Sequence, residues 1–216
     1  MTSGEPGRSG RTYQSARRAQ AAADTRAAIL DAAMRLFCER GYGKVTVQDI
    51  AREAAAAVPT VYASTGGKAA ILGILIEDAM KDPIVAETQS AVDECADARE
   101  AIRVLVHGVR VDNERYYRIV QIMKDAATLD DAAAGVLSRS DELYRQDLGQ
   151  CVDHVRKVGT LRPGLTAERA ADIAWYYLGH QSWSLLAGSR QWPWDDAERW
   201  VAGQLTDALL GTRAPA

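Results

Sequence analysis

The chain has 216 residues, 47% of them hydrophobic and 25% charged, with a formal net charge of −3. That length buries one small core and one larger one. The sequence shows no internal repeat, no apolar run of about 18 residues and no signal-peptide pattern, so a soluble, cytoplasmic protein without a membrane span is expected.

The net charge conceals an asymmetry. Residues 1–68 hold ten Lys/Arg against six Asp/Glu, net +4, whereas residues 69–216 hold sixteen against twenty-three, net −7. A positive end of this kind suits an anionic partner such as nucleic acid. Residues 1–20 read as a basic, flexible arm, rich in Gly and Ser, carrying Arg8, Arg11, Arg17 and Arg18, and disordered until about residue 15. Such an arm lies along phosphates or in a minor groove, or else is a solvated tail.

Helix 1 is expected from Ser15 or Asp24 to Arg40, with Ile29, Ala33, Leu36 and Phe37 as its buried stripe and Gly41 as its stop. Tyr42 then packs on that core or touches a phosphate. Thr46 and Asp49 form an [ST]-x-x-[DE] capping box ahead of Val47, Ile50, Ala51 and Ala54, which share one face of a short helix. Ala54 to Ala57 make a small-residue turn, and Val58-Pro59 opens a second short helix over about 58–64, because proline fits only the first helical turn. Val61 faces the first helix, while Thr60 and Tyr62 point away. This is the pattern of a helix-turn-helix, whose second helix enters the major groove; the alternative is an ordinary helical hairpin in a core.

Residues 24–72 resemble the DNA-binding domain of the TetR family of bacterial transcriptional regulators, through TRAAILDAAMRLFCERGYGKVTVQDIAREA, then TVY, then Lys68 with AAIL behind it. Ala55 departs from the turn glycine usual in that family, Ala57 from a Ser or Thr cap, and Thr65 from an aromatic behind the recognition helix. These departures imply a less rigid head. The second helix has no Arg, Lys, Asn or Gln over residues 57–63, so strong bidentate base readout is not expected. What remains is apolar contact from Val58 or Pro59, hydrogen bonding by Thr60, phosphate contact by Tyr62, and DNA shape. Lys68, at a helix start, is a phosphate candidate. With Thr46, Arg17 and Arg18, these complete the DNA-binding set.

Beyond Lys68 the chain reads as all helix, with breaks at Asp82-Pro83, Cys95 to Asp97, Asp112-Asn113, Leu129 to Asp131, Gly159 to Leu165 and Gly188 to Trp194. The expected fold is therefore all-α: a three-helix head over 21–68 joined to a six-helix body over 69–216. Ten of the fourteen aromatic residues follow residue 110. Tyr116, Tyr117 and Met123 mark one helix; Tyr176, His180 and Trp183, at i, i+4 and i+7, mark a face of another. These six residues are the expected lining of a pocket for a small apolar or aromatic molecule, although core packing explains such stripes equally simply. Gly179 and Ser182 on a neighbouring face permit close helix packing.

The resemblance implies further that residues 166–187 and 195–211 form a dimer interface and that residues 97–127 and 132–158 enclose an effector pocket. A homodimeric repressor of a pseudopalindromic double-stranded DNA operator, released by a small-molecule effector, is then the expected function. An activator on the same parts is an alternative. Another is an enzyme, with His180 and Asp172 as an acid–base pair. Cys38, Cys95, Cys151, His107, His154 and His180 show no metal-site spacing, and no cofactor motif is present.

Overall fold

The structure, a computed structural model, describes residues 8–211, with side chains from residue 14 onward except Met80. Among the described residues every regular element is helical. In chain order these are α1 (Arg8–Arg40), a 3₁₀ turn (Tyr42–Lys44), α2 (Val47–Glu53), α3 (Val58–Thr65), α4 (Lys68–Met80), α5 (Pro83–Asp93) and α6 (Ala98–Ala127). Then follow α7 (Asp131–Val158), α8 (Ala167–Leu178), α9 (His180–Trp183), a π-helical turn (Ser184–Ser189) and α10 (Trp194–Leu210). The all-α expectation holds, with α4 to α8 and α10 as the six substantial helices after the head.

The chain forms two compact units, the first running to Ile76 and taking in Ile122–Ala134, the second made of Glu77–Gln121 and the chain from Gly135 onward. The sequence division at residue 68 is simpler than this, because α4 and α6 each contribute to both units.

In the first unit, α1 ends where Gly41 adopts φ 80° and donates its N–H to the Phe37 carbonyl at 3.0 Å. Its buried stripe is the expected one: Ile29, Ala33, Leu36 and Phe37 are each at most 2% exposed. The start of α1 corrects the reading of a flexible arm. Residues 8–20 are helical, and residues 14–24 are exposed. Ala16 to Gln20 and Ala21 to Ala23 are mostly strong helix formers, and extending a nucleated helix adds a hydrogen bond for each residue fixed. Residues 1–7 of the arm lie outside the described residues.

The second unit buries Val92, Ile102, Leu105, Val106, Leu148, Val152, Leu178, Trp183, Val201 and Leu205 in one continuous core. Two sequence expectations change here. No break occurs at Asp112-Asn113, since α6 runs through it and Asn113 is buried, donating Nδ2 to the Val109 carbonyl one turn back at 2.9 Å. A break occurs instead at Gly179, whose ψ of 151° ends α8 and separates it from α9. The Leu178 carbonyl beside that break accepts from the Tyr144 hydroxyl at 2.8 Å and from Trp183 Nε1 at 3.1 Å. Tyr176, His180 and Trp183 therefore do not share a helix face: Tyr176 is 70% exposed and Trp183 fully buried.

Candidate nucleic-acid interface and effector cavity

The helix-turn-helix is assembled by a capped α2 and an anchored α3. Thr46 accepts the Asp49 N–H at 3.1 Å and donates its hydroxyl to Asp49 Oδ2 at 2.6 Å, while the same carboxylate accepts the Thr46 N–H. The box is complete, so Thr46 serves first as a cap. The turn after α2 is a Schellman motif: Ala56 N–H bonds the Ala51 carbonyl and Ala55 N–H the Arg52 carbonyl. It places Ala55 in the left-handed region at φ 50°. Ala57 caps α3 without a side-chain hydrogen bond, as its methyl group requires.

Val61 is fully buried beneath α3, and Thr65 behind it is buried with its hydroxyl on the Val61 carbonyl at 2.9 Å. Arg26 of α1 reaches the Ser64 carbonyl at 2.6 Å and so ties down the end of α3. Outward stand Pro59, Thr60 and Tyr62, with Val58 half-buried at the helix start. Arg17 and Arg18 are exposed on the outer turns of α1. Lys44 and Gln48, exposed beside Thr46, are polar candidates that sequence reasoning passed over. A lysine in a short turn between two helices was the available signal.

Lys68 is placed differently from the phosphate contact expected. Its Nζ donates to the Tyr42 carbonyl at 3.0 Å and lies 4.0 Å from the centre of the Tyr42 ring, and burial lowers its pKa. Tyr42 is itself buried, packs on Phe37 and donates its hydroxyl to Asp130 at 2.8 Å. That hydrogen bond holds the Asp130 carboxyl below its ordinary value. Tyr42, Lys68 and Asp130 thus brace the first unit internally.

The second unit holds a cavity of about 400 Å³, within the range of small-molecule sites. The turn before α5 supplies Lys81 and Asp82, α5 supplies Ile84 and Thr88, α6 supplies Leu105, Val109 and Asp112, and α7 supplies Tyr144, Asp147 and Leu148. Gly108 lets α5 approach α6, because a Cβ there would overlap the Thr88 hydroxyl. Asp82 caps α5 through the Ile84 N–H and also accepts from Tyr116 and from Arg115, the latter at 2.7 Å. These bonds, Tyr116's foremost, hold Asp82 down at about 2. Burial, with Asp82 repulsion added, pushes Asp112 up to about 6, and burial also raises Asp147.

None of the six residues expected to line a pocket is in the wall of this cavity. Tyr116 and His180 act one step behind the wall: Tyr116 on Asp82, and His180 stacked 4.8 Å from the Tyr144 ring with Nδ1 2.8 Å from Asn113 Oδ1. Tyr117 meets Trp194 edge-on, Met123 and Trp183 are buried core, and Tyr176 faces outward. The expected helices α6 and α7 do form walls, joined by α5. The missed signal was polar residues interrupting apolar stripes, as in Leu105, Val109 and Asp112, or Tyr144, Asp147, Leu148 and Cys151. The Asp172–His180 acid–base pair does not form, since Asp172 pairs with Arg145 at 3.2 Å and His180 lies beyond the Gly179 break.

An exposed α3 set by a capped α2, at the positively charged end of the chain, places this protein among helix-turn-helix DNA-binding proteins. Residues 29–73 match the family described as bacterial regulatory proteins, tetR family. That match covers the DNA-binding head, which is similar to the heads of this family, while the likeness of the body to solved structures is one of fold. No curated protein matches it.

Several solved structures share the fold. NalD of Pseudomonas aeruginosa, secondary repressor of the MexAB-OprM multidrug efflux pump, superposes with a TM-score of 0.70 at 20% identity, over 88% of this chain and 98% of its own. SmeT of Stenotrophomonas maltophilia in complex with triclosan gives 0.69 at 19% identity over 89% and 98%. The TetR-family regulator PfmR from Thermus thermophilus gives 0.62 at 22% identity over 87% and 96%. Among the described residues no helix is long and apolar enough to cross a membrane.

Proposed function

We propose that the protein is a homodimeric repressor that binds a pseudopalindromic operator through α3 of each copy and releases it when a small molecule fills the cavity. The observation that carries this reading is the continuity of α6. One unbroken helix lines the cavity with Leu105, Val109 and Asp112 and continues to the buried residues Met123 and Ala126 of the DNA-binding unit. A ligand that favours one setting of α6 shifts the population between DNA-competent and DNA-incompetent forms.

Dimerisation is supported by exposed Tyr176, Leu185, Trp192 and Trp200 on α8, the π-helical turn, the loop after it and α10. Two copies of α3 about 34–36 Å apart read successive major-groove faces. Repression is favoured because NalD and SmeT are described as repressors. The test is genomic footprinting with the purified protein at several salt concentrations, followed by a ligand screen for lost footprints. A discrete palindromic footprint that weakens steeply with salt is expected. Absence of any specific footprint overturns the reading.

A further inference from the structure

Three carboxylates, those of Asp82, Asp112 and Asp147, line the cavity. Asp82 is matched by Arg115 at 2.7 Å. Asp112 and Asp147 accept no side-chain hydrogen bond and form no ion pair among the described residues, and burial raises both. Lys81, the lysine of the lining, pairs with Asp78 at 2.8 Å. A half-buried carboxylate without a directly paired counter-charge costs stability, and a neutral side chain of the same shape would pack there more favourably.

The remaining wall is largely apolar, from Ile84, Leu105, Val109 and Leu148, and includes the Tyr144 ring. Among the described residues no group of three or more acidic, His or Cys side chains is placed to hold a metal ion. The negative charge is therefore spread along an apolar chamber. That arrangement suits a positive charge carried on an organic body.

We propose that the cavity binds an organic cation, an amine or quaternary ammonium on an apolar frame, with Asp112 and Asp147 as its counter-charges. This deepens the reading of the cavity as the effector site and rests on it. The cation gains attraction from both carboxylates where water is partly excluded, and a ring in the wall attracts the same charge. An anion of equal size meets repulsion instead.

Asp82 and Arg115 act electrostatically on Asp112, which itself acts on Tyr144, and Lys81 ahead of α5 and Asp147 and Cys151 on α7 share the cavity wall with it. Arg115 is engaged by Asp82, Tyr144 by the Leu178 carbonyl and Cys151 by Gln89. Cation binding consequently draws on ionised Asp112 and weakens as pH falls through about 6.

The experiment is calorimetric titration of the full chain with benzyltrimethylammonium, benzyl alcohol and benzoate, on the wild type, Asp112→Asn and Asp147→Asn, with thermal melts confirming that each variant folds. The cation is expected to bind at least about tenfold more tightly than the alcohol, as close charge pairs warrant. Each Asn variant is expected to lose most of that preference while still binding the alcohol. Equal or weaker binding of the cation, or a preference that survives both substitutions, overturns the proposal. Operator release is measured separately: a cation that binds the cavity without loosening DNA overturns the effector reading and leaves the cation site standing.

Discussion

Ala55 shows how a single methyl group bears on the DNA-reading unit. The Schellman turn after α2 requires a left-handed residue, and alanine there crowds its Cβ against the backbone. Ala55→Gly relieves that strain but loosens the unfolded chain, so a net gain of about 0.5–1 kcal/mol is expected. A urea midpoint raised at unchanged slope would agree; an unchanged or lowered midpoint would count against the strain. Asp112 is the complementary case. Its pKa rises from about 4 unfolded to about 6 folded, so below about 4 both states are protonated and the group has no effect. Between those values the folded form alone keeps the proton, and stability falls as pH rises through that window. Above it the full penalty, on the order of 2 kcal/mol, persists. Asp112→Asn should therefore raise the melting temperature at pH 7.5 and flatten the pH dependence between 4 and 6, with melts across that range as the check.

At the level of helices, α3 is short, lacks a side-chain cap and is held by Val61, Thr65 and Arg26. Ala57→Ser supplies the missing acceptor for an early N–H and should add about 1 kcal/mol to the helix. Hydrogen exchange of residues 57–66 in the free protein reads this directly, and protection unchanged by the substitution would show that packing already fixes the helix. The α5–α6 crossing depends on Gly108 in a comparable way. Gly108→Ala forces the Thr88 side chain aside and should destabilise by about 1–3 kcal/mol while narrowing the cavity. Chemical denaturation tests the first effect and probe titration the second. Both features involve residues that sequence reading reached unevenly. The missing cap was visible as Ala57 after a small-residue turn, whereas Gly108 looks like any helical glycine until its neighbour is known.

For the molecule as a whole, the proposed pairing with a second copy rests on exposed Tyr176, Leu185 and Trp200. Glu at Tyr176 and Trp200 together should yield a folded monomer in sedimentation and weaken operator binding by about 100-fold or more, because two linked heads bind with avidity that one lacks. A dimer that persists would place the interface elsewhere. The head was legible because its signals are local: a capping box, a glycine stop, a proline at a helix start and a periodic stripe each act within a few residues. The all-helical character of the body followed from periodicity for the same reason. Whether Trp183 lines a cavity or fills a core, whether Asp112 is solvated or walled in, and whether Lys68 meets a phosphate or Tyr42 were decided only by tertiary structure. Those outcomes depend on which distant helices come together, and on a break at Gly179 that turned Tyr176 and Trp183 to opposite environments.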